Sequence, residues 1–255
     1  MPFIFDRYAY LNSPIHRWEQ RSKLVALLAL IFAFAFIKNL FLLPATIFVT
    51  TSLYFLSRLP FNFLLSRLRY PGLFIIVVVF FLPFIAGNNV IFRIGFLEIK
   101  QEGSLLVLLI LVRFFCIFTI SLILFYTAPF LTTIKAMRSL GLSDTIVDMM
   151  LLSYRYLEEL SQMLEKMQTA MKLRGFRFKS FNIRNLNIIA SLIGTLLVRS
   201  YDRSLLIYKA MILRGYGSQK LNFNSHNKID KMSLFASVIT LIIAASFILA
   251  EFLIV

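Results

Sequence analysis

The chain has 255 residues, 59% of them hydrophobic and only 15% charged, with 28 phenylalanines and a net charge of +15. A soluble domain is nearer half apolar and a quarter charged, so this composition excludes an ordinary soluble fold and points to segments solvated by lipid. The positive balance is compatible with nucleic acid, an anionic membrane surface or acidic partners, but the cytoplasmic loops of membrane proteins are rich in Lys and Arg in any case.

The first apolar run, residues 24–37, follows Arg17, Arg21 and Lys23 and has no small-residue cleavage site. It reads as a retained span rather than a cleaved signal. Lys38-Asn39 separates it from the run at 40–57, so these two are expected as a tight helical hairpin. A third run, 71–87, opens on Pro71-Gly72, contains Pro83 and closes near Gly87-Asn88-Asn89. The runs at 104–126 and 233–253 reach the roughly 20 residues that cross a bilayer outright. The reading is thus an all-α polytopic membrane protein of about five spans, with four in residues 1–127 and one in 233–255.

Lys and Arg set the orientation. With the N-terminus inside, the short inner segments hold Arg7, Arg17, Arg21, Lys23, Arg58, Arg67 and Arg69, against Lys38, Arg93 and Lys100 outside. Arg113 is the one basic residue within a span. It is expected to snorkel, to pair between helices, or to touch a partner subunit.

Residues 128–232 form a long basic segment of helical pattern, assigned to the cytoplasm. Ser143-Asp144 signals a helix start, and apolar positions from Ile146 to Met171 repeat at helical spacing up to Leu173. That predicts one amphipathic helix of about 30 residues, roughly 45 Å long. A second runs from about Leu186 to Leu213. Its apolar stretch, 186–198, is too short to cross, so the reading is a helix buried against the membrane domain, with a sixth span as the alternative. Glu158 and Glu159 are adjacent and diverge by about 100° on a helix, which makes them a surface rather than a catalytic pair.

The sharpest motif is an echo. Ala170-Met171-Lys172-Leu173-Arg174-Gly175-Phe176 recurs forty residues later as Ala210-Met211-Ile212-Leu213-Arg214-Gly215-Tyr216. Each copy ends a long helix. Glycine after a helix and arginine in its last turn are ordinary stop chemistry. The shared Ala-Met, leucine and aromatic are taken as more than a stop requires. Two equivalent tips imply two equivalent docking sites, as a symmetric partner pair supplies.

Here the sequence resembles the transmembrane (T) component of energy-coupling-factor transporters, whose long cytoplasmic helix pair ends in small Ala-Arg-Gly motifs. Leu173-Arg174-Gly175 and Leu213-Arg214-Gly215 stand at those places. The stretch from Leu197 through Arg199 to Arg203, leading to Ala210-Met211, is similar too, as is the Leu140-Gly141-Leu142 break. Asp6-Arg7-Tyr8-Ala9-Tyr10 and Ser13-Pro14-Ile15-His16-Arg17 resemble the cobalt/nickel branch. Two departures stand out: leucine replaces alanine in both tip motifs, and Trp18-Glu19-Gln20-Arg21 replaces the branch's Leu-Asp-Pro-Arg.

The resemblance implies a coupling subunit in a prokaryotic plasma membrane or plastid equivalent, with its N-terminus in the cytoplasm. It implies two ATP-binding cassette ATPase subunits that receive the tips, and a substrate-binding membrane (S) subunit. Arg174 and Arg214 are the ATPase-coupling arginines, with Leu173, Gly175, Leu213 and Gly215 beside them; Arg113, Arg199 and Arg203 are candidate contacts to partner subunits. Cobalt or nickel is the implied cargo.

The chain has no G-x-x-x-x-G-K-[ST] loop, so ATP is expected on partner subunits and no cofactor on this one. The histidines are His16 and His226, with one cysteine, Cys116, which excludes an intrachain disulfide and is a thin donor set for a transition metal. His16 is expected to make a local hydrogen bond. A self-sufficient channel or secondary carrier would favour acids within its spans, and the five spans are read as lacking Asp and Glu. An insertase using Arg113 leaves the doubled helix ends unexplained, and a nucleic-acid role has no recognition motif behind it.

Overall fold

The structure is a computed structural model that describes residues 11, 13–85, 90–94, 97–176, 183–216 and 231–254. Its elements, in order, are α1 (Pro14–Arg17), α2 (Gln20–Phe36), a 3-10 turn (Leu40–Leu42), α3 (Leu43–Ser57), α4 (Phe61–Ile85), β1 (Val90–Ile94), β2 (Leu97–Lys100), α5 (Gln101–Tyr126), α6 (Phe130–Ser139), α7 (Asp144–Leu173), α8 (Ile183–Leu213) and α9 (Lys231–Ile254). The helical, polytopic reading holds. One antiparallel two-stranded hairpin interrupts it, with Arg93 opposite Glu98 and Ile94 opposite Leu97.

The chain divides into two compact units, residues 1–143 with 228–255, and residues 144–227. The first unit thus reaches Ser143 and includes α6. That helix packs on α2, and the Gln20 amide donates to the Thr133 hydroxyl at 3.0 Å. The last helix belongs to the first unit because α9 packs along α2.

In the first unit, the described parts of the five apolar runs fall mainly in the helices α2, α3, α4, α5 and α9. Among the described residues, three stretches are long and apolar enough to cross a membrane: Leu40–Ser57, Gly103–Tyr126 and Lys231–Leu253. α2, α4 and α8 are not among them. α2 has 17 residues and is the central helix. Its Leu24, Leu27, Leu30, Ala33 and Phe34 are buried against Cys116, Ile120 and Ile123 of α5 and Ala244 and Phe247 of α9. Phe34 meets Phe247 edge to face, with centroids 5.3 Å apart. The outward side is as apolar as the core: Phe41, Phe48 and Phe55 are exposed, which suits lipid and not water.

Three local expectations need correction. Ile37, Lys38 and Asn39 do make a short turn, but α2 packs on α9 and α5, and α3 packs on α5, rather than the two forming an intimate hairpin. The carboxylate of Glu251 on α9 explains this by holding the turn, accepting from the Lys38 N–H at 3.0 Å and the Asn39 amide at 3.2 Å. The third span does not begin at Pro71. Helix α4 starts a full ten residues earlier, at Phe61, and runs through the proline, whose missing N–H costs it one backbone bond. Arg67 therefore lies on the helix and not in a loop, its guanidinium 5.6 Å from the Phe63 ring centre and 5.4 Å from that of Tyr126. Lys23, counted above with the surface charges, is fully buried. Its ammonium donates to the Ile15 carbonyl at 3.3 Å, the Thr127 carbonyl at 3.5 Å and the Thr127 hydroxyl at 3.1 Å.

The second unit is the pair α7 and α8. The start and end of α7 agree with the expected Asp144 and Leu173, and α8 begins three residues before Leu186. Both are amphipathic, yet among their described residues only Val147 and Leu192 are fully buried hydrophobics. Leu186, Ile193, Leu197 and Val198 of α8 are left uncovered by α7. An amphipathic stripe predicts that something covers it; it does not say that the chain itself does.

Candidate functional site at the helix tips

α7 ends in a Schellman turn. The N–H of Phe176 reaches the Met171 carbonyl at 3.0 Å and the N–H of Gly175 reaches Lys172 at 3.0 Å, with Gly175 at φ +81°. α8 ends identically: Tyr216 bonds to Met211 at 3.0 Å, Gly215 to Ile212 at 2.9 Å, and Gly215 also has φ +81°. In this motif the residue after the glycine and the residue three from the helix end make a hydrophobic contact. Those positions are Phe176 with Met171 and Tyr216 with Met211. The methionine and the aromatic, read above as more than a stop requires, thus stand at the two positions where this stop favours a hydrophobic contact.

A third end proves the point. α6 runs into Ala136-Met137-Arg138-Ser139-Leu140-Gly141-Leu142, with Gly141 at φ +101°. The N–H of Leu142 bonds to Met137 at 3.2 Å, and that of Gly141 to Arg138 at 3.2 Å. The Ala-Met-x-x-x-Gly-apolar frame is therefore common to three helix ends. What sets the two tips apart is Leu-Arg in place of Ser139-Leu140. The signal for this third copy stands in the sequence: Ala136-Met137 precedes the Leu140-Gly141-Leu142 break at the spacing of the other two.

Leu173 and Leu213 are 85% and 88% exposed, among the barest large apolar side chains of the molecule. Arg174 and Arg214 are exposed beside them, and no described residue makes a hydrogen bond or ion pair with either guanidinium. Each tip is a leucine knob and a free planar cation on a rigid cap. The pairing of α7 with α8 separates the two tips. Arg203 on α8 makes an ion pair with Glu159 on α7, and the Tyr216 hydroxyl donates to the Asp148 carboxylate at 3.4 Å. The helices therefore run antiparallel, and one tip sits beside the start of α7 while the other caps its end. From Asp148 to Arg174 is 26 residues of helix, about 40 Å.

The weaker candidates fall differently. Arg203 is engaged by Glu159 across the exposed side of the helix pair. Arg199 is exposed. Arg113 on α5 is half-buried, interacts electrostatically with Glu251 on α9, and leaves its Nε without a hydrogen-bond partner. A carboxylate of α9 thus lies within electrostatic reach of Arg113. Glu251 lies within the last run, 233–253, so the reading that the spans lack Asp and Glu is corrected there. His16 makes the local bond expected of it, 2.6 Å from the Ser13 hydroxyl, whereas His226 lies outside the described residues. No group of three His, Cys, Asp or Glu that could hold a metal ion occurs among the described residues.

The sequence model of the cobalt transport protein family, CbiQ, matches residues 11–223. An energy-coupling factor transporter transmembrane protein EcfT of Streptococcus thermophilus is 30% identical over 224 residues, covering 84% of each chain. Its counterpart in Exiguobacterium sibiricum is 31% identical over 217 residues, 77% of this chain and 80% of that one. A Leuconostoc gelidum protein of the same name is 27% identical over 255 residues, 94% of each. With both helix tips inside the matched region, the chain belongs to the cobalt transport protein family, that of the transmembrane components of energy-coupling-factor transporters.

Proposed function

We propose that this chain is the coupling subunit of an ATP-driven importer in a prokaryotic membrane, and that each tip docks on one of two ATP-binding cassette ATPase subunits. The observation that carries this is the pair of bare Leu-Arg tips at opposite ends of an antiparallel helix pair. An antiparallel pair with the same motif at both ends has an approximate local two-fold axis across it, and a two-fold ATPase dimer offers two matching grooves. A guanidinium is permanently charged and offers a planar fork to a carboxylate or to backbone carbonyls, which suits Arg174 and Arg214 to the contact.

ATP is bound by the ATPases, since this chain has no phosphate-binding loop. Closure of the ATPases moves the tips, and two helices of 30 and 31 residues carry the displacement. The exposed apolar residues of α7 and α8, Met149, Leu157, Leu197 and Leu206 among them, provide the surface for a substrate-binding membrane subunit. The N-terminus lies in the cytoplasm with Arg17, Arg21 and Arg58 on its side of the bilayer. Cobalt or nickel ions are the proposed cargo, supported by the description of the matching family; the relatives' names carry no substrate, which leaves a vitamin-binding partner as the second reading.

The test is co-purification from membranes that also express the ATPases. Arg174→Ala with Arg214→Ala abolishes recovery of the ATPases while the chain still inserts. ATPases recovered at wild-type levels with the double variant sink the proposal. The substrate is read from whichever small membrane protein accompanies the wild-type chain, and from uptake of radioactive cobalt or nickel by vesicles containing the complex.

A further inference from the structure

We infer that the groove between α1, α3 and α9 is a binding site for an anionic phospholipid of the adjoining leaflet. The groove encloses about 810 Å³, within the range of sites that take sizeable small molecules. Its body is apolar, formed by Phe48, Val49, Leu53 and Leu56 of α3 and Ile239 and Ile243 of α9. Arg17 and Arg58 complete the lining. Arg58 follows the last residue of α3, Met232 and Ser233 on the wall are in the first turn of α9, and Arg17 ends α1. Both arginines therefore stand at the same end of the groove, at one membrane–water boundary.

Both guanidiniums are exposed, and neither has a hydrogen-bond or ion-pair partner among the described residues. The Glu19 carboxylate lies 3.9 Å from the Arg21 Nε, and neither of its oxygens accepts a hydrogen bond among the described residues. Arg58 also holds a left-handed backbone, φ 53°, and is the one non-glycine residue to do so among those described. It is the C-cap of α3, with its N–H on the Phe55 carbonyl, which fixes it at the rim of the groove. Two free cations over an apolar slot that opens to the bilayer complement a phosphate with acyl chains below it. A neutral lipid or a partner helix fills the slot but leaves the arginines unanswered.

The probe is phosphatidylglycerol against phosphatidylcholine. The full-length chain, purified in detergent and equilibrated with an equal mixture of the two, is washed, and the retained lipid is quantified by mass spectrometry. Phosphatidylglycerol is expected to be enriched about tenfold, with the enrichment lost in Arg17→Gln plus Arg58→Gln and kept in Arg69→Gln. Thermal unfolding gives a second reading on the wild-type chain alone: phosphatidylglycerol raises the midpoint and phosphatidylcholine does not. Equal retention of the two lipids, or enrichment that survives the double variant, overturns the inference, as does displacement by excess inorganic phosphate, which would make this a free-anion site. Because the tips are untouched, ATPase recovery is unchanged by Arg17→Gln plus Arg58→Gln, so failure here and failure of the coupling assignment are told apart.

Discussion

The end of α6 and the ends of α7 and α8 close with the same backbone, yet only two of the three carry Leu-Arg. All three use a left-handed glycine, a methionine three residues from the helix end and an apolar residue after the glycine. The comparison divides the repeated motif into a part that stops a helix and a part available to a partner. Had the frame occurred only at the tips, every residue in it would have looked functional. The α6 end serves as an internal control supplied by the molecule itself.

The strongest way to break that division is to convert the tips into α6-type ends. Leu173→Ser, Arg174→Leu, Leu213→Ser and Arg214→Leu together keep the Schellman frame, so circular dichroism retains its helix content. Losing one partner of a desolvated charge pair costs about 2 kcal/mol or more per tip, so ATPase affinity falls at least ~30-fold per tip. Wild-type affinity in this variant places the docking information elsewhere. Next in size are the leucines. Fully burying one is worth about 1.5–3 kcal/mol, so Leu173→Ala and Leu213→Ala weaken titrated ATPase binding by about tenfold per tip. An unchanged affinity means the knobs stay in water in the complex.

The glycines sharpen the comparison from the other side. A Cβ at Gly141 or Gly175 meets nothing within 4 Å, so substitution by alanine costs backbone strain alone, about 1–2 kcal/mol at positive φ. Both variants lower the thermal midpoint alike, but only Gly175→Ala also weakens ATPase binding. The smallest effect is expected at Arg203. Its pair with Glu159 is 49% and 40% exposed, so a double-mutant cycle with Arg203→Ala and Glu159→Ala gives a coupling of only about 0.2–1 kcal/mol. A coupling of several kcal/mol indicates that the pair, and not the helix faces, holds α7 against α8.

The second unit was more legible than the first, for a physical reason. A helix cap is closed by hydrogen bonds spanning six residues, so Asp144 to Leu173 and the Arg-Gly ends can be read from short windows of sequence. Partner choice among apolar helices has no such local code, because one leucine face suits any neighbour. The sequence therefore placed five apolar runs in helices but could not say that α2 is the centre and α3 is not its close partner.

Composition and pattern by themselves determined that this chain is helical, membrane-spanning and basic, that two long amphipathic helices end alike, and that no phosphate-binding loop supplies its energy. Only the tertiary structure decided that Lys23 is buried among carbonyls and not a surface charge, that Glu251 pins the first turn, and that Arg203 is spent on Glu159. It also decided that α7 and α8 run antiparallel, which sends the two tips to opposite ends. Each of these depends on residues between 8 and more than 200 positions apart, and no local periodicity records which of many compatible side chains the fold will bring together.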